Sequence, residues 1–260
     1  MIWQVYLLAA IFGLIIGSFL NVLIYRIPRH KNVAFDRSAC PDCGKQIAWY
    51  HNIPVLSYLI LLGRCANCRQ PISLRYPTVE VINALMYLYF VWRFGISTEF
   101  AIFSALASAL LVIFFIDLDF QIIPDVITLP GMIAGLAVSF LPEGIGIVSS
   151  LIGLVVGGGA LYLVALIGDY LFKKESMGGG DIKMAGMLGT FIGWKKVLLV
   201  FMLSAVVGLI VSLIIMMFSK SLRRNRVIPF GPFLSIAAVV ALLYGDQIIR
   251  FYVSTFLTPQ

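Results

Sequence analysis

Charge is what this sequence has least of. Only 12% of its 260 residues are charged against 61% hydrophobic, and its mean hydropathy is +1.00. A soluble domain carries about a quarter charged residues, so the soluble globular class is excluded. Other signatures are missing too. No basic stripe with interleaved aromatics runs along the chain, which argues against nucleic acid as a partner despite a net charge of +7. No strand, glycine-rich loop and helix follow one another as a dinucleotide cradle requires. The first apolar run has no basic residues before it and is too long for a signal-peptide core, so it reads as a retained helix. No internal repeat or low-complexity tail stands out.

What is abundant is long apolar sequence. A spanning helix needs about 20 mostly apolar residues, with about 17 tolerated. Eight segments qualify as candidates: 4–25, 78–94, 98–116, 126–142, 145–171, 182–194, 197–218 and 229–249. The sixth is short, and is expected to be tilted or extended by the glycines before it. The expected fold is an all-α polytopic membrane protein of about eight transmembrane helices with a small zinc-stapled cytoplasmic domain. Its expected divisions are residues 1–26 (first transmembrane helix), 27–77 (tetracysteine domain) and 78–260 (polytopic membrane domain). With the N-terminus outside, fifteen of the nineteen lysines and arginines fall on inside segments, a strong positive-inside bias. The basic loop from Lys220 to Pro229 is then a cytoplasmic anchor touching anionic lipid.

All four cysteines lie in the one long polar region, as Cys40-Pro41-Asp42-Cys43 and Cys65-Ala66-Asn67-Cys68. Two C-x2-C pairs at this separation match a tetrathiolate zinc knuckle or ribbon. The alternatives, two disulfides or four free thiols, fit a reducing cytoplasm less well. Four protein ligands leave the metal no open position, so zinc at Cys40, Cys43, Cys65 and Cys68 is expected to fold the loop rather than catalyse. The apolar stretch from Trp49 to Leu59 reads as an interfacial or re-entrant helix. His51 within it reads as a surface histidine, with a fifth ligand or a base as the alternative. Glu80 reads as a helix-start charge, with pairing to Arg75 as the alternative.

Small residues recur where helices would meet. Gly13 and Gly17, Gly131 and Gly135, Gly153, and Gly157-Gly158-Gly159 mark close-packing faces, and Asn21 is a polar group in need of a partner. Ionisable groups at membrane depth are costly and so are functional candidates. One set is Asp117, Asp119 and Asp125. Asp125 follows Pro124 and reads as a helix N-cap. Asp117 and Asp119 face different sides of a helix, so one can look into the bundle while the other meets water. A metal-binding D-x-D is the other reading of that pair. The second set is Asp181, delivered by the run Met177-Gly178-Gly179-Gly180-Asp181-Ile182-Lys183. A plain glycine-rich turn with Asp181 as a cap is its bland reading.

Two aspartates from separate segments, meeting over a water, are the parts of an aspartic protease. By helix dipoles, Asp181 begins a helix and Asp117 ends one, so Asp181 is expected to be the ionised partner. Gly178-Gly179-Gly180-Asp181 followed by Lys183 resembles the G-x-G-D motif of intramembrane aspartic proteases. Together with Gly17-Ser18-Phe19-Leu20-Asn21, the paired C-x2-C loop, Asn52-Ile53-Pro54, Gly63-Arg64-Cys65 and Arg75-Tyr76-Pro77, the chain resembles the bacterial type IV prepilin peptidases over nearly its whole length. The resemblance implies a multi-pass protein of the bacterial inner membrane, with Asp117 and Asp181 as the catalytic pair and Gly178, Gly180 and Lys183 shaping the loop. It implies prepilins of type IV pili, or pseudopilins of type II secretion, as substrates cut after a glycine. Cysteine-bearing members also N-methylate the new N-terminus with S-adenosylmethionine; the methyltransferase residues are not legible, and the 27–80 region is where they are expected. A protease-only form, a proton-coupled transporter and a zinc-dependent assembly protein without chemistry are the rival readings.

Overall fold

Long apolar runs punctuated by glycine, proline and charge fold here as helices throughout. The computed structural model describes residues 2–174, 176–218 and 228–257. Among them no strand forms; Ala39 with Gln46 and Arg64 with Pro71 make two isolated bridges. The helices are α1 (Ile2–Arg26), α2 (Leu56–Ile60), α3 (Arg75–Phe94), α4 (Thr98–Phe120), α5 (Asp125–Val138), α6 (Ile147–Phe172), α7 (Gly179–Phe218) and α8 (Gly231–Tyr252). All eight apolar segments expected from the sequence are helical, with ends shifted by a few residues.

α7 holds two of those segments, broken at Gly193 (φ 76, ψ 169), a backbone state open to glycine. Among the described residues, five helices are long and apolar enough to cross a membrane: α1, α4, α6, α7 and α8. α3, with Arg75, Glu80 and Arg93, and the 14-residue α5 fall short of that measure. The expected count of about eight is thus larger than length and composition alone deliver. The loop from Lys220 to Pro229 lies outside the described residues except at its last two positions.

The chain forms two units, Met1–Val112 and Ile113–Gln260. In the first, α1 packs on α3 at its glycines. A Cβ on Gly13 would lie 2.7 Å from the Ala84 Cα, and one on Gly17 2.7 Å from the Glu80 Cα. Lipid tails are as apolar as the helices, so close backbone approach and hydrogen bonds hold such contacts rather than hydrophobic burial. Asn83 donates to the Gly13 carbonyl at 2.8 Å and accepts from the Ser108 hydroxyl at 2.8 Å. Asn21 finds its partner in the Tyr76 carbonyl at 3.0 Å.

Two expectations in this unit are corrected. The stretch from Trp49 to Leu59 is not one helix: a 3-10 turn (Trp49–Asn52) is cut from α2 by Ile53, Pro54 and Val55. Pro54 supplies no N–H and pushes Ile53 out of the helical region (φ −66, ψ 119). Glu80 lies beyond the first turn of α3, is buried, and accepts the Val55 N–H at 2.8 Å.

In the second unit α7 is the hub, packing on α5, α6 and α8. Gly153 of α6 meets Gly189 of α7 so closely that a Cβ on either would strike the other's carbonyl, and Gly157 meets Ala185 the same way. Gly131 and Gly135 of α5 make room for Met187 and Thr190. Gly159 differs from these glycines, because nothing lies within 4 Å of its Cβ position. The Ser150 hydroxyl ties α6 to the Thr190 carbonyl at 2.8 Å.

The contrast predicts opposite outcomes. Gly189→Val should overpack the α6–α7 crossing and cost about 1–3 kcal/mol or more, read as a lower melting temperature of the purified protein in detergent. Gly159→Ala should leave the melting temperature unchanged or raise it slightly.

Candidate active site

Asp117 stands in the last turn of α4 with a 5% exposed residue surface, whereas Asp119 two residues on is exposed. The i, i+2 spacing therefore divides the two carboxylates as helix geometry requires. After Asp117 the chain reverses through Gln121 (φ 55), whose N–H donates to the Asp117 carbonyl at 2.9 Å, and enters α5 behind Pro124.

The glycine run opens α7. Gly178 precedes the helix, and the Asp181 N–H donates to its carbonyl at 3.1 Å. Gly178 and Gly180 have a steric reason to be glycine, whereas nothing lies within 4 Å of a Cβ on Gly179. A Cβ on Gly178 would sit 3.3 Å from Asp181 Oδ2, and one on Gly180 would sit 2.8 Å from the Ile123 Cβ. Ile123 also reaches the start of α8, with its Cδ1 3.2 Å from where a Cβ on Gly231 would be. The turns bearing Asp117 and Asp181 are thus gathered around one isoleucine.

The two carboxylates have unlike surroundings. Asp117 Oδ2 accepts the Gly231 N–H at 3.0 Å, and a Cβ at Gly231 would lie only 2.6 Å from that oxygen. Asp181 Oδ1 is buried and has no hydrogen-bond partner among the described residues. This revises the dipole expectation. Asp181 does sit in the first turn of α7, but Asp117 faces the N-terminal end of α8, so both anions meet a positive helix end. Phe230, Gly231 and Pro232 escaped the sequence reading. The signal was there: a glycine ahead of a proline at a helix start leaves one N–H free to point at an anion.

Lys183 donates to Asp125 at 2.9 and 2.7 Å, and both side chains are exposed. Asp125 is the first residue of α5, not its cap; Pro124 holds the cap position. The pair fastens the start of α7 to the start of α5 and, being exposed, adds little stability.

In the first unit the four thiols form one cluster. The ligand atoms of Cys40, Cys43, Cys65 and Cys68 lie within 4.8 Å of one another, with 3.9 Å between the sulfurs of Cys40 and Cys68. A tetrahedron of Zn–S bonds about 2.3 Å long has edges of about 3.8 Å, so the donor set fits that ion. Backbone N–H groups of Cys68 and Asn67 draw the Cys65 thiol down to about 6, toward the thiolate that binds metal.

The two C-x2-C turns are copies of each other, although no repeat stood out in the sequence. Cys40 N–H donates to Lys45 and Cys65 N–H to Gln70, at 3.0 and 2.9 Å; Gly44 and Arg69 donate back to Cys40 and Cys65, at 2.9 and 3.0 Å. Gly44 (φ 70) and Arg69 (φ 61) hold the same left-handed place. An arginine where its twin has glycine hides the likeness. His51 stacks edge-on to Tyr50 at 4.5 Å and is not a member of the thiol cluster.

Comparison with known proteins gives one answer. Residues 11–94 match the family model described as the bacterial peptidase A24 N-terminal domain, and residues 104–213 match the type IV leader peptidase family. A relative from Pseudomonas putida is 37% identical over 93% of this chain and 91% of its own length. One from Pseudomonas aeruginosa is 37% identical over 92% and 90%, and one from Aeromonas hydrophila 34% identical over 98% and 96%. All three bear the name prepilin leader peptidase/N-methyltransferase. No solved structure matches the chain.

For the cysteine cluster, elemental analysis of the purified full-length protein should find about one zinc per chain, and Cys43→Ser should carry almost none. Stripping the metal with a chelator should lower the melting temperature; metal-free and metal-loaded protein melting together would contradict a folding role.

Proposed function

The chain belongs to the type IV leader peptidase family, and on that premise we propose that it is an intramembrane aspartic endopeptidase with N-methyltransferase activity. Its substrates are type IV prepilins or pseudopilins. It removes their basic leader after a glycine at the cytoplasmic face of the bacterial inner membrane. It then methylates the new N-terminal amine with S-adenosylmethionine as donor. The observation that carries the peptidase half is the pair of carboxylates around Ile123, one with a backbone donor and one with a buried, unpartnered oxygen.

The catalytic pair is Asp117 and Asp181. Two carboxylates that meet over one water share a proton. Asp117, with the Gly231 N–H already on Oδ2, is suited to carry the charge and to take a proton from the attacking water. Asp181 carries the shared proton and gives it to the scissile carbonyl oxygen as the water oxygen bonds to carbon. The tetrahedral diol collapses when the proton on Asp117 passes to the leaving nitrogen, the C–N bond breaks, and one diol hydroxyl returns its proton to Asp181. Gly178 and Gly180 let this turn lie against Asp181 and Ile123. Lys183 acts on the loop by fastening it to Asp125.

The zinc held by Cys40, Cys43, Cys65 and Cys68 supplies folding energy to the polar loop. The basic loops lie inside by the lysine and arginine bias. That orientation brings a basic leader to the side where the anionic pair works.

The assignment makes a three-way prediction. Asp117→Asn and Asp181→Asn should each lower cleavage of a prepilin in detergent or liposomes by at least about 100-fold. Asp119→Asn should stay within about threefold of the unmodified protein, because an exposed carboxylate at that place is outside the pair. A D-x-D metal site would instead make Asp119 essential and cleavage sensitive to chelators.

A further inference from the structure

Three stretches far apart in the chain meet on one side chain of the first unit. Glu80 is 7% exposed. It accepts the Val55 N–H at 2.8 Å. Gly17 touches its backbone, and Asn21 fixes the Tyr76 carbonyl one turn earlier on α3. Residues 17–21, 52–55 and 76–80 are therefore organised around a buried carboxylate that peptide hydrolysis at Asp117 and Asp181 does not use.

Two features are more than a scaffold needs. Holding one N–H requires an acceptor but not a charge, and a glutamine side chain offers that acceptor without the cost of burying an ion. Val55 also sits at φ 60, ψ −49, with the Leu56 N–H reaching back to the Pro54 carbonyl at 2.6 Å. A β-branched residue in such a turn is strained, and strain of this kind clusters at active sites and ligand clamps.

The relatives' second activity, N-methylation, needs such a group. An N-terminal amine has a pKa of about 8 and arrives largely as ammonium; it must lose a proton before its lone pair can attack a methyl group. We propose that Glu80 is the base for methyl transfer, binding the acceptor ammonium and taking its proton. The assignment rests on reading the chain as an N-methyltransferase. The freed nitrogen pair forms the N–C bond as the methyl–sulfur bond of S-adenosylmethionine breaks, and the electron pair leaves on sulfur. The products are a secondary ammonium, S-adenosylhomocysteine and a protonated Glu80, which returns its proton to water. Glu80's partners from α1 and from the 52–55 turn are uncharged, while Arg75 and Tyr76 lie one turn back on α3.

The test uses the full-length protein, methyl-labelled S-adenosylmethionine and a pilin peptide with its mature N-terminus already free. Bound zinc and melting temperature report folding. Glu80→Gln should lower methyl incorporation at least about 100-fold near pH 7, and the deficit should shrink near pH 9, where the acceptor amine deprotonates unaided. Adding Val55→Gly separates the base from a clamp and protects the fold, since glycine adopts φ 60 without strain. Under the proposal the E80Q/V55G double variant stays as slow as E80Q. Overturning results are E80Q within about threefold of the unmodified protein, a deficit that is the same at both pH values, or a double variant with transfer restored. An unmodified protein that neither cuts a prepilin nor methylates the peptide would overturn the functional reading itself, a result distinct from a methylating E80Q.

Discussion

A carboxylate buried among apolar helices must be given a donor or a proton, and most of the second unit is arranged around how Asp117 and Asp181 meet that demand. The Gly231 N–H answers for Asp117, at the start of α8 and across 114 residues of chain. That one bond dictates glycine at 231, since a Cβ there would collide with the carboxylate, and proline at 232 fits the helix start that follows. Asp181 is met differently. Gly180 brings the backbone before it against Ile123, and one Asp181 oxygen has no hydrogen-bond partner among the described residues.

The same physics governs the packing that holds these turns in place. Where lipid removes the hydrophobic drive between helices, glycine contacts and a few buried amides and hydroxyls supply the specificity. Gly153 against Gly189 and Gly17 against Glu80 are backbone-to-backbone seats. Asn83, with Gly13 on one side and Ser108 on the other, joins three helices of the first unit. The cysteine loop has no apolar core of this kind, and four thiols drawn to one point replace it.

Much of this was legible in the residues. Apolar length alone located every long helix, because a spanning run leaves little choice of structure. The C-x2-C spacing located the thiol cluster, and the i, i+2 offset said that Asp117 and Asp119 would face different surroundings, though not which of them is buried. Long-range partners were not legible. Nothing local to Glu80 says that its carboxylate will hold Val55, so an early acidic residue read as a helix-start charge. Nothing local to Asp117 says that α8 will offer an N–H, so a dipole argument from α4 and α7 alone was incomplete. Asp125 was misplaced by one residue because proline took the cap position and its charge went to Lys183. The α7 break at Gly193 was legible as well, since two apolar segments, 182–194 and 197–218, were expected on either side of it.

The central claim is that Asp117 and Asp181 act as one coupled unit. Infrared difference spectroscopy of the carboxyl stretch, followed across pH in the unmodified protein and in each single Asp→Asn variant, tests it most directly. Coupling predicts that removing either carboxyl displaces the titration of the one that remains. A remaining carboxyl that titrates as it does in the unmodified protein would contradict the account.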